Sequence, residues 1–555
     1  MATAAEILET LRAWKIRYVF CCPGTTEIPL LDALAERDSP SQLPEFMLTT
    51  HEAIAVSMAD GYSRASGDLG VAYLHTNVGL ANGLAHLYAA QLARSSVALL
   101  TGIKGTATLP HRALTTSSRI LETAAPYAGH TWQNLDGLGL VADIDRTLRY
   151  ATIVPESPAV LTIPQNHISA TASGAISTGA QAIQRQRPTT DALADAAALL
   201  RDARRPAIIA GSDVARRGAQ VDLERVAEVL GAPVYVESRR DLERWSFRSD
   251  HPNFAGMFDP RNPVVAEADL LFLAGAPTPL EFSSEMPILP SGVPLLHLTE
   301  DAAEAGRRVV PAAALIGDTA IALHELAALL SANDLSRAPD TEEFLSRAQA
   351  HQESQLAEWH DAVSADGEGV GLSGAGAMRV LAETLHGDGL LVLDGVTSTL
   401  PLLRFLERTR PDTVFATASG SLGWGMGAAA GVALARKERT LAVVGDGVVQ
   451  FGVPAFWTAH RYSIPVTYVV VNNGKYQAVI SGLTRMNGRA HAKGDYPLTD
   501  ISGVDISALA ESFGISATRV SGAGALAETI RREVNRGTEE GPRLVEIMVN
   551  DVLWQ

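Results

Sequence analysis

The sequence has 555 residues, a formal net charge of −17 at pH 7, 46% hydrophobic residues and 19% charged residues, which describes a globular protein of about three domains. The acidic balance argues against nucleic acid and against an anionic membrane surface as partners. The two cysteines, Cys21 and Cys22, are adjacent and predict no disulfide framework, and no run of ~20 apolar residues occurs, so we expect a cytoplasmic protein without membrane spans.

The first 168 residues alternate strand patterns with helix patterns. Short apolar runs predict strands at 18–20, 46–48, 70–74, 97–100 and 158–163, and periodicity predicts helices at 3–14, 28–36, 52–65 and 79–93. This alternation is typical of a parallel sheet covered by helices. We therefore expect an N-terminal α/β domain at residues 1–168. A stretch rich in Ser, Ala, Gly and Gln at 169–190 predicts a linker.

Residues 190–330 predict a second, smaller α/β domain of the dinucleotide-binding type. Strand patterns occur at 207–210, 234–236 and 270–274, and a helix with one apolar face lies between the first two. The acidic and polar stretch at 331–367 predicts a long surface connection that contains a helix at 342–360.

A third α/β domain is expected at residues 370–555, and its central feature is a strand–helix–strand unit. A β-branched strand at 441–444 precedes Gly445-Asp446-Gly447, and a second strand at 466–471 ends at Asn472-Asn473. Because parallel strands end at the same edge of a sheet, Asp446 and Asn473 are expected to meet there. An acid, an amide and a backbone carbonyl are hard oxygen ligands that suit Mg²⁺ or Ca²⁺. Taken alone, a Gly-Asp-Gly sequence is more often only a turn.

The Gly-Asp-Gly sequence followed after 24 residues by Asn-Asn is the motif of thiamine diphosphate enzymes. Over nearly its whole length the chain resembles the decarboxylase/acetohydroxyacid synthase superfamily, and most of all the benzoylformate decarboxylases. The resemblance implies three doubly wound parallel-sheet domains, which are pyrimidine-binding, central and diphosphate-binding. It implies thiamine diphosphate and Mg²⁺ as cofactors, with the metal held by Asp446, Asn473 and the carbonyl of Lys475. It also implies a homodimer or homotetramer with the active site between chains.

Glu52 follows a predicted strand and begins a predicted helix, as the glutamate that activates the cofactor does in this superfamily. The resemblance therefore implies that the Glu52 carboxyl group hydrogen-bonds the aminopyrimidine ring of the cofactor. An alternative is that Thr49 and Glu52 form a helix-capping box, in which the glutamate only satisfies backbone donors.

Three more residues of the N-terminal domain match positions of the superfamily. His75 resembles an active-site histidine of benzoylformate decarboxylases, and an imidazole titrates near neutrality, which suits proton transfer. Its alternative role is that of a structural histidine at a helix start. Asn82 matches an asparagine near the cofactor, and Thr25 occupies the place of a serine that faces the substrate.

In the third domain the resemblance extends to further cofactor-binding positions. Thr397 and Ser398 match residues that bind the diphosphate, although an ordinary helix N-cap explains them as well. Gly420 matches a glycine whose carbonyl accepts from the cofactor's amino group, and Leu422 matches the side chain that supports the bent cofactor. Gly445 and Gly447 would let a diphosphate approach the backbone closely, and Tyr476 is a further cofactor-binding candidate. Candidates for the substrate pocket are Tyr476, Val479 and Ile480.

The sequence departs from benzoylformate decarboxylases at one informative position. Phe282, beside Glu281, stands where those enzymes have a second active-site histidine, and no FAD-binding stretch is found in the central domain, so FAD is doubtful. The expected function is a 2-oxo acid decarboxylase that acts on small 2-oxo acids and aldehydes, with carboligase side activity. The alternatives are a carboligase of the acetolactate synthase type and a cofactor-binding protein without catalysis.

Overall fold

The computed structural model describes residues 3–35, 44–175, 177, 179, 185–238, 242–280, 287–332, 339–365, 372–385, 387 and 389–550. Within these ranges the chain forms three six-stranded sheets in which neighbouring named strands pair in parallel. Helices flank each sheet, so the predicted α/β class with three doubly wound sheets is confirmed. In the described part of the chain, no helix combines the length and the apolar character needed to cross a membrane.

The N-terminal sheet has the strand order β2-β1-β3-β4-β6-β5. Its strands are β1 (Tyr18–Cys22), β2 (Glu45–Leu48), β3 (Gly70–His75), β4 (Val97–Ile103), β5 (His130–Gln133) and β6 (Ala159–Pro164). The helices are α1 (Thr3–Ala13), α2 (Ile28–Ala35), α3 (Glu52–Ser66), α4 (Thr76–Leu92), α5 (Ile120–Ala124), α6 (Leu140–Ala151) and α7 (Gln165–Ile168). The helix predicted at 79–93 begins three residues earlier, so His75 directly precedes it.

The central sheet has the order that is typical of dinucleotide-binding folds, β12-β11-β10-β7-β8-β9. Its strands are β7 (Pro206–Ala210), β8 (Val234–Val236), β9 (Phe254–Met257), β10 (Leu270–Ala274), β11 (Leu295–Thr299) and β12 (Ala313–Ile316). The helices are α8 (Thr190–Asp202), α9 (Ser212–Arg216), α10 (Gln220–Leu230), α11 (Thr319–Ser331) and the long α12 (Pro339–Ala365). The connecting helix predicted at 342–360 is therefore longer at both ends.

The C-terminal sheet has the order β14-β13-β15-β16-β18-β17, which repeats the N-terminal order when strands are counted from the first of each domain. Its strands are β13 (Leu390–Asp394), β14 (Val414–Ala416), β15 (Thr440–Gly445), β16 (Val466–Asn472), β17 (Ser516–Val520) and β18 (Arg543–Met548). The helices are α13 (Gly374–Thr384), α14 (Thr399–Phe405), α15 (Trp424–Arg436), α16 (Asp446–Gly452), α17 (Pro454–Arg461), α18 (Gln477–Met486), α19 (Arg489–Lys493), α20 (Ile506–Ser512) and α21 (Ala523–Val534).

The N-terminal and C-terminal domains meet where α3 crosses α15, and glycines bring the two backbones into direct contact. A Cβ atom on Gly61 would lie 2.2 Å from the carbonyl oxygen of Ala428, and one on Gly431 would lie 2.2 Å from that of Met58. No side chain longer than hydrogen fits at either point. The separation of the two helices is therefore set by main-chain contact.

A buried polar network joins the same two domains beside this crossing. The Asp60 carboxylate accepts hydrogen bonds from the Arg64 guanidinium at 2.9 Å and from Trp424 Nε1 at 2.7 Å. Arg64 also donates to the carbonyl of Ala416 at 2.9 Å, and its guanidinium lies 4.7 Å from the Trp424 ring centroid. Because a buried ion pair stabilises only when its remaining donors and acceptors are satisfied, the extra partners from the C-terminal domain make the contact specific.

We expect Gly61→Ala to destabilise the contact between α3 and α15 by roughly 1–3 kcal/mol, because the added methyl group meets a backbone carbonyl that cannot move aside cheaply. The measurement is the urea midpoint of unfolding. Gly524→Ala is the matched control, since it lies in helix α21 and its added Cβ meets no atom within 4 Å. Equal midpoints for Gly61→Ala and the wild type would contradict the close contact.

Candidate active site

The ends of β15 and β16 bring Asp446 and Asn473 to one edge of the C-terminal sheet, as the sequence predicts. The two strands are parallel neighbours, with Gly445 paired to Val471. Asp446 is the first residue of α16, and its carboxylate accepts from the backbone N–H of Gly447 at 2.8 Å and of Gly474 at 2.6 Å. The carboxylate therefore ties the two strand ends together.

The oxygen atoms at this edge fit a hard divalent cation. Burial raises the pKa of the Asp446 carboxyl group, although the backbone N–H groups that it accepts from oppose this shift. The described residues contain no group of three or more His, Cys, Asp or Glu side chains that is arranged for a metal. A cation here would have one carboxylate, the Asn473 amide oxygen, the Lys475 carbonyl and ligand oxygens, a set typical of Mg²⁺ bound together with a phosphate group.

A cavity of about 410 Å³ opens at this edge of the sheet. The ten residues of the C-terminal domain that were predicted to bind the cofactor or the metal all line it, namely Thr397, Ser398, Gly420, Leu422, Gly445, Asp446, Gly447, Asn473, Lys475 and Tyr476. Val479 also lines the cavity, whereas Ile480 is buried outside it. The chain therefore collects these residues, predicted from four separate stretches, around one space.

Gln477 is a further polar residue of the cavity, and sequence analysis missed it. Its Oε1 accepts from Asn473 Nδ2 at 3.4 Å, but its Nε2 is buried and has no hydrogen-bond partner among the described residues. A buried amide donor without an acceptor is costly, and a phosphate oxygen in the cavity would satisfy it. In the sequence, its role in the site was indicated only by its position directly after the candidate Tyr476.

Asp394 is a buried residue directly before Gly395, which lines the cavity, and sequence analysis also missed it. It ends β13 and is fully buried; its Oδ2 accepts from the backbone N–H of Gly425 at 2.9 Å, while Oδ1 has no partner in the described structure. Burial raises the pKa of Asp394 to about 7. Because Gly425 follows Leu422 closely, this contact holds the turn below the cavity against the end of β13.

Thr397 and Ser398 lie at the start of α14. Ser398 occupies the N-cap position of α14, yet its hydroxyl makes no capping bond and instead donates to the carbonyl of Gly395 at 3.0 Å. Ser398 therefore occupies the N-cap position without a side-chain capping bond. Thr397 is exposed, and both residues line the cavity.

Glu52 is the first residue of α3, and it does not form a capping box. The N-cap is His51, whose Nδ1 accepts from the backbone N–H of Ala53 at 3.1 Å. Thr49 instead donates its hydroxyl to backbone carbonyls. The Glu52 carboxylate accepts from Asn82 Nδ2 at 3.0 Å, so two predicted site residues are in direct contact.

His75 is held by a carboxylate that sequence analysis did not identify. Its Nδ1 lies 2.9 Å from Glu27 Oε2 and 2.9 Å from Thr26 Oγ1. Glu27 is fully buried and also accepts from the backbone N–H of Gly24 at 2.8 Å. Because a carboxylate accepts the Nδ1 proton, the neutral imidazole presents Nε2 as a proton acceptor. The turn Pro-Gly-Thr-Thr-Glu places Glu27 close to the candidate Thr25 in the sequence, but the sequence does not show which histidine Glu27 contacts.

Thr25 is exposed at the same turn and contacts a lysine. Its hydroxyl accepts from Lys104 Nζ at 3.3 Å, and its carbonyl accepts from Gln165 Nε2 at 3.1 Å.

None of the N-terminal candidates, Thr25, Glu52, His75 or Asn82, lines the cavity of the C-terminal domain. Phe282 and Glu281 lie outside the described residues.

One buried histidine connects the two groups of residues. His86 Nδ1 lies 2.7 Å from the carbonyl of Ala53, next to Glu52, and Nε2 lies 3.4 Å from the carbonyl of Leu422. Burial lowers the pKa of His86, so the neutral imidazole donates to the nearer carbonyl. The start of α3 and the cavity wall therefore share a structural contact.

Comparisons with known proteins agree with this architecture. Three family descriptions match in chain order: "Thiamine pyrophosphate enzyme, N-terminal TPP binding domain" at residues 1–122, the central domain at 193–326 and the C-terminal TPP binding domain at 394–547. A benzoylformate decarboxylase from Pseudomonas aeruginosa is 27% identical over 520 residues, which cover 92% of each chain. An acetolactate synthase large subunit from Parasynechococcus marenigrum is 24% identical over 544 residues, covering 93% of this chain and 83% of its own.

A solved structure shows the same fold. The thiamine diphosphate-dependent 4-hydroxybenzoylformate decarboxylase of Rhodococcus jostii RHA1 superposes with a TM-score of 0.83 at 23% identity, over 99% of both chains. The fold is that of a three-domain α/β protein with a cavity at the edge of its C-terminal sheet. The chain belongs to the thiamine pyrophosphate enzyme family, and it is a thiamine diphosphate-dependent enzyme.

Asp394→Asn should change how stability depends on pH. Because the folded pKa of about 7 lies above the ordinary value of 3.8, the folded protein keeps a proton that the unfolded chain releases between these pH values. The stability due to protonated Asp394 is present at low pH and is lost as pH rises through 7. Unfolding midpoints of the variant should therefore rise relative to the wild type between pH 5 and pH 8. A difference that is independent of pH would contradict the buried, proton-binding state.

Proposed function

We propose that the protein is a thiamine diphosphate- and Mg²⁺-dependent 2-oxo acid decarboxylase of the benzoylformate decarboxylase type, with carboligase side activity. The observation that carries the proposal is the single cavity that collects the metal-type oxygen donors Asp446 and Asn473 with the predicted diphosphate-binding residues. The 27% identity to a benzoylformate decarboxylase over 92% of the chain supports it. Small 2-oxo acids and aldehydes are the proposed substrates.

In the proposed enzyme the C-terminal cavity holds the cofactor. Asp446, Asn473 and the carbonyl of Lys475 bind Mg²⁺, and Thr397, Ser398 and Gln477 donate hydrogen bonds to the diphosphate. Gly420 presents its carbonyl to the amino group of the pyrimidine, and Leu422, Gly445, Gly447 and Tyr476 shape the walls. When bound, thiamine diphosphate supplies a carbon nucleophile that adds to the substrate carbonyl and accepts the electron pair left by CO₂.

The N-terminal residues move protons in this proposal. The Glu52 carboxyl group, positioned by Asn82, holds a proton against the pyrimidine ring. His75 exchanges a proton with the substrate through Nε2, because Glu27 orients the ring through Nδ1. Thr25 faces the substrate with its hydroxyl.

We further propose that the active site forms between two chains of a homodimer or homotetramer. Glu52 and its partner Asn82 do not line the cavity of their own chain. Two large apolar side chains at the cavity are exposed, Phe451 by 60% and Val479 by 49%, which is typical of a surface covered by a partner. In a symmetric dimer, Glu52 of each chain would lie at the cavity of the other chain.

The central domain is proposed to bind no FAD. At the carboxyl edge of its sheet Arg217 forms ion pairs with Glu156 and Glu300, and Asp213 pairs with Arg94 at 2.8 Å. These ion-paired side chains occupy the edge of the sheet where a dinucleotide would bind. We also propose that the protein works in the cytoplasm, where the free thiols of Cys21 and Cys22 stay reduced.

A carboligase of the acetolactate synthase type is the second candidate. It is favoured by the match to an acetolactate synthase over 93% of the chain. To separate the two, the cofactor-loaded protein is supplied with aliphatic and aromatic 2-oxo acids, including pyruvate with and without an added aldehyde. A decarboxylase releases CO₂ and one aldehyde per substrate, whereas a carboligase yields mainly 2-hydroxy ketones or acetolactate. Absence of turnover with every substrate would favour a binding protein without catalysis.

Glu52→Gln should lower kcat about 100-fold or more, because the amide cannot exchange the proton, while the unfolding midpoint and cofactor affinity stay close to those of the wild type. Steady-state kinetics and calorimetric cofactor binding measure the two effects. Wild-type rates in this variant would show that Glu52 serves only as the start of α3.

Mixing two inactive variants tests whether the site lies between chains. Glu52→Gln and Asp446→Asn chains are unfolded together, refolded and assayed with cofactor. If each site combines Glu52 of one chain with the cavity of the other, hybrid dimers have one intact site and the mixture regains about a quarter of wild-type activity. A site within one chain would regain none.

A further inference from the structure

Three neighbouring strands place Thr25, His75 and Lys104 at one edge of the N-terminal sheet. The residues follow or end β1, β3 and β4, which pair side by side. The order reverses between β1 and β3, and ligands of doubly wound sheets bind outside the carboxyl ends of strands at such a point. Lys104 is therefore located at the edge that carries the proposed proton-transfer histidine.

The backbone around Lys104 is held firmly. Its N–H donates to Thr116 Oγ1 at 3.2 Å, and the N–H of Thr106 donates to Asn166 Oδ1 at 2.8 Å. Two residues before Lys104, β4 passes so close to Glu27 that a Cβ on Gly102 would lie 1.9 Å from Glu27 Oε1. Lys104 thus follows directly from the strand that covers the Glu27–His75 pair.

The ammonium group of Lys104 is a cation without an acidic partner. Its Nζ donates to Thr25 Oγ1 at 3.3 Å, and it forms no ion pair among the described residues. Glu27, the nearby carboxylate, is already bonded to His75, Thr26 and Gly24. Because an ammonium group has three N–H donors and Lys104 is only half-exposed, an anion from outside the chain is its natural partner.

We propose that Lys104 binds a second carboxylate of the substrate, so that the enzyme prefers 2-oxo dicarboxylic acids to monocarboxylic acids of the same length. This inference rests on the proposed decarboxylase function. The carboxylate that leaves as CO₂ loses its charge in the transition state, and a fixed cation bound to it would stabilise the substrate more than the transition state. Lys104 therefore serves a carboxylate that keeps its charge. Thr25 orients the ammonium group and is its neighbour in the specificity site.

The test compares matched acids on the cofactor-loaded full chain. The pairs are 2-oxopentanedioate with 2-oxopentanoate and 2-oxohexanedioate with 2-oxohexanoate, and the readout is kcat/KM for CO₂ release. The wild type should prefer at least one dicarboxylate over its partner. Lys104→Gln should reduce that preference about tenfold or more, mainly through KM, because a charge-assisted hydrogen bond remote from the reacting carbon is lost. Lys104→Arg should keep part of the preference.

Lys15→Gln is the matched control. It removes the same charge from the same domain, but Lys15 is exposed before β1, at the opposite edge of the sheet. Its preference should equal that of the wild type. Calorimetry with pentanedioate and pentanoate, which have no 2-oxo group and cannot react, measures binding separately from turnover.

The outcomes separate the two proposals. Binding of pentanedioate that depends on Lys104, without turnover of any 2-oxo acid, would support the Lys104 assignment and overturn the decarboxylase. Turnover without preference for either dicarboxylate, or an equal loss for both members of a pair in Lys104→Gln, would overturn the Lys104 assignment and leave the decarboxylase standing. If the protein neither turns over any 2-oxo acid nor binds pentanedioate, both proposals are overturned.

Discussion

Direct backbone contact between α3 and α15 is the constraint on which the arrangement of the site depends. The contact leaves no room for a methyl group at Gly61 or Gly431. Helix α3 begins at Glu52, and α15 begins two residues after Leu422, so within one chain the crossing fixes where the start of α3 lies relative to the start of α15. Main-chain contact is stiff, whereas longer side chains would let the helices slide.

Buried polar groups make this contact specific rather than merely close. Asp60 is satisfied by Arg64 on its own helix and by Trp424 from the other domain, and His86 lies between carbonyls of both domains. Removing one partner would leave a buried charge or donor unsatisfied, which costs more than the bond itself contributes. Asp394 has the same role inside the C-terminal domain, where it holds the turn of Gly425 against β13.

The two sheets with the same strand order carry different chemistry at equivalent edges. The C-terminal edge offers oxygen donors and hydroxyl groups around a cavity, as a metal and a diphosphate require. The N-terminal edge offers a carboxylate, a carboxylate–imidazole pair and the Lys104 ammonium group, which suit proton transfer and charge recognition. Since neither edge alone has both sets, the proposed reaction depends on bringing two edges together.

The sequence by itself determined the three parallel sheets and the meeting of Asp446 with Asn473, because both follow from short-range patterns and from the fact that parallel strands end at one edge. It also indicated many, but not all, of the residues that line the cavity, through motifs whose spacing is local. Only the tertiary structure decided that Glu27 holds His75, that His51 rather than Thr49 caps α3, and that Lys104 reaches Thr25. Each of these depends on which side chains from distant strands or loops share a surface, and hydrophobic periodicity carries no information about that choice. The shared strand order of the two outer domains was likewise visible only in the tertiary structure. Many unrelated sequences can pack into the same topology, so two domains can share it without sequence similarity.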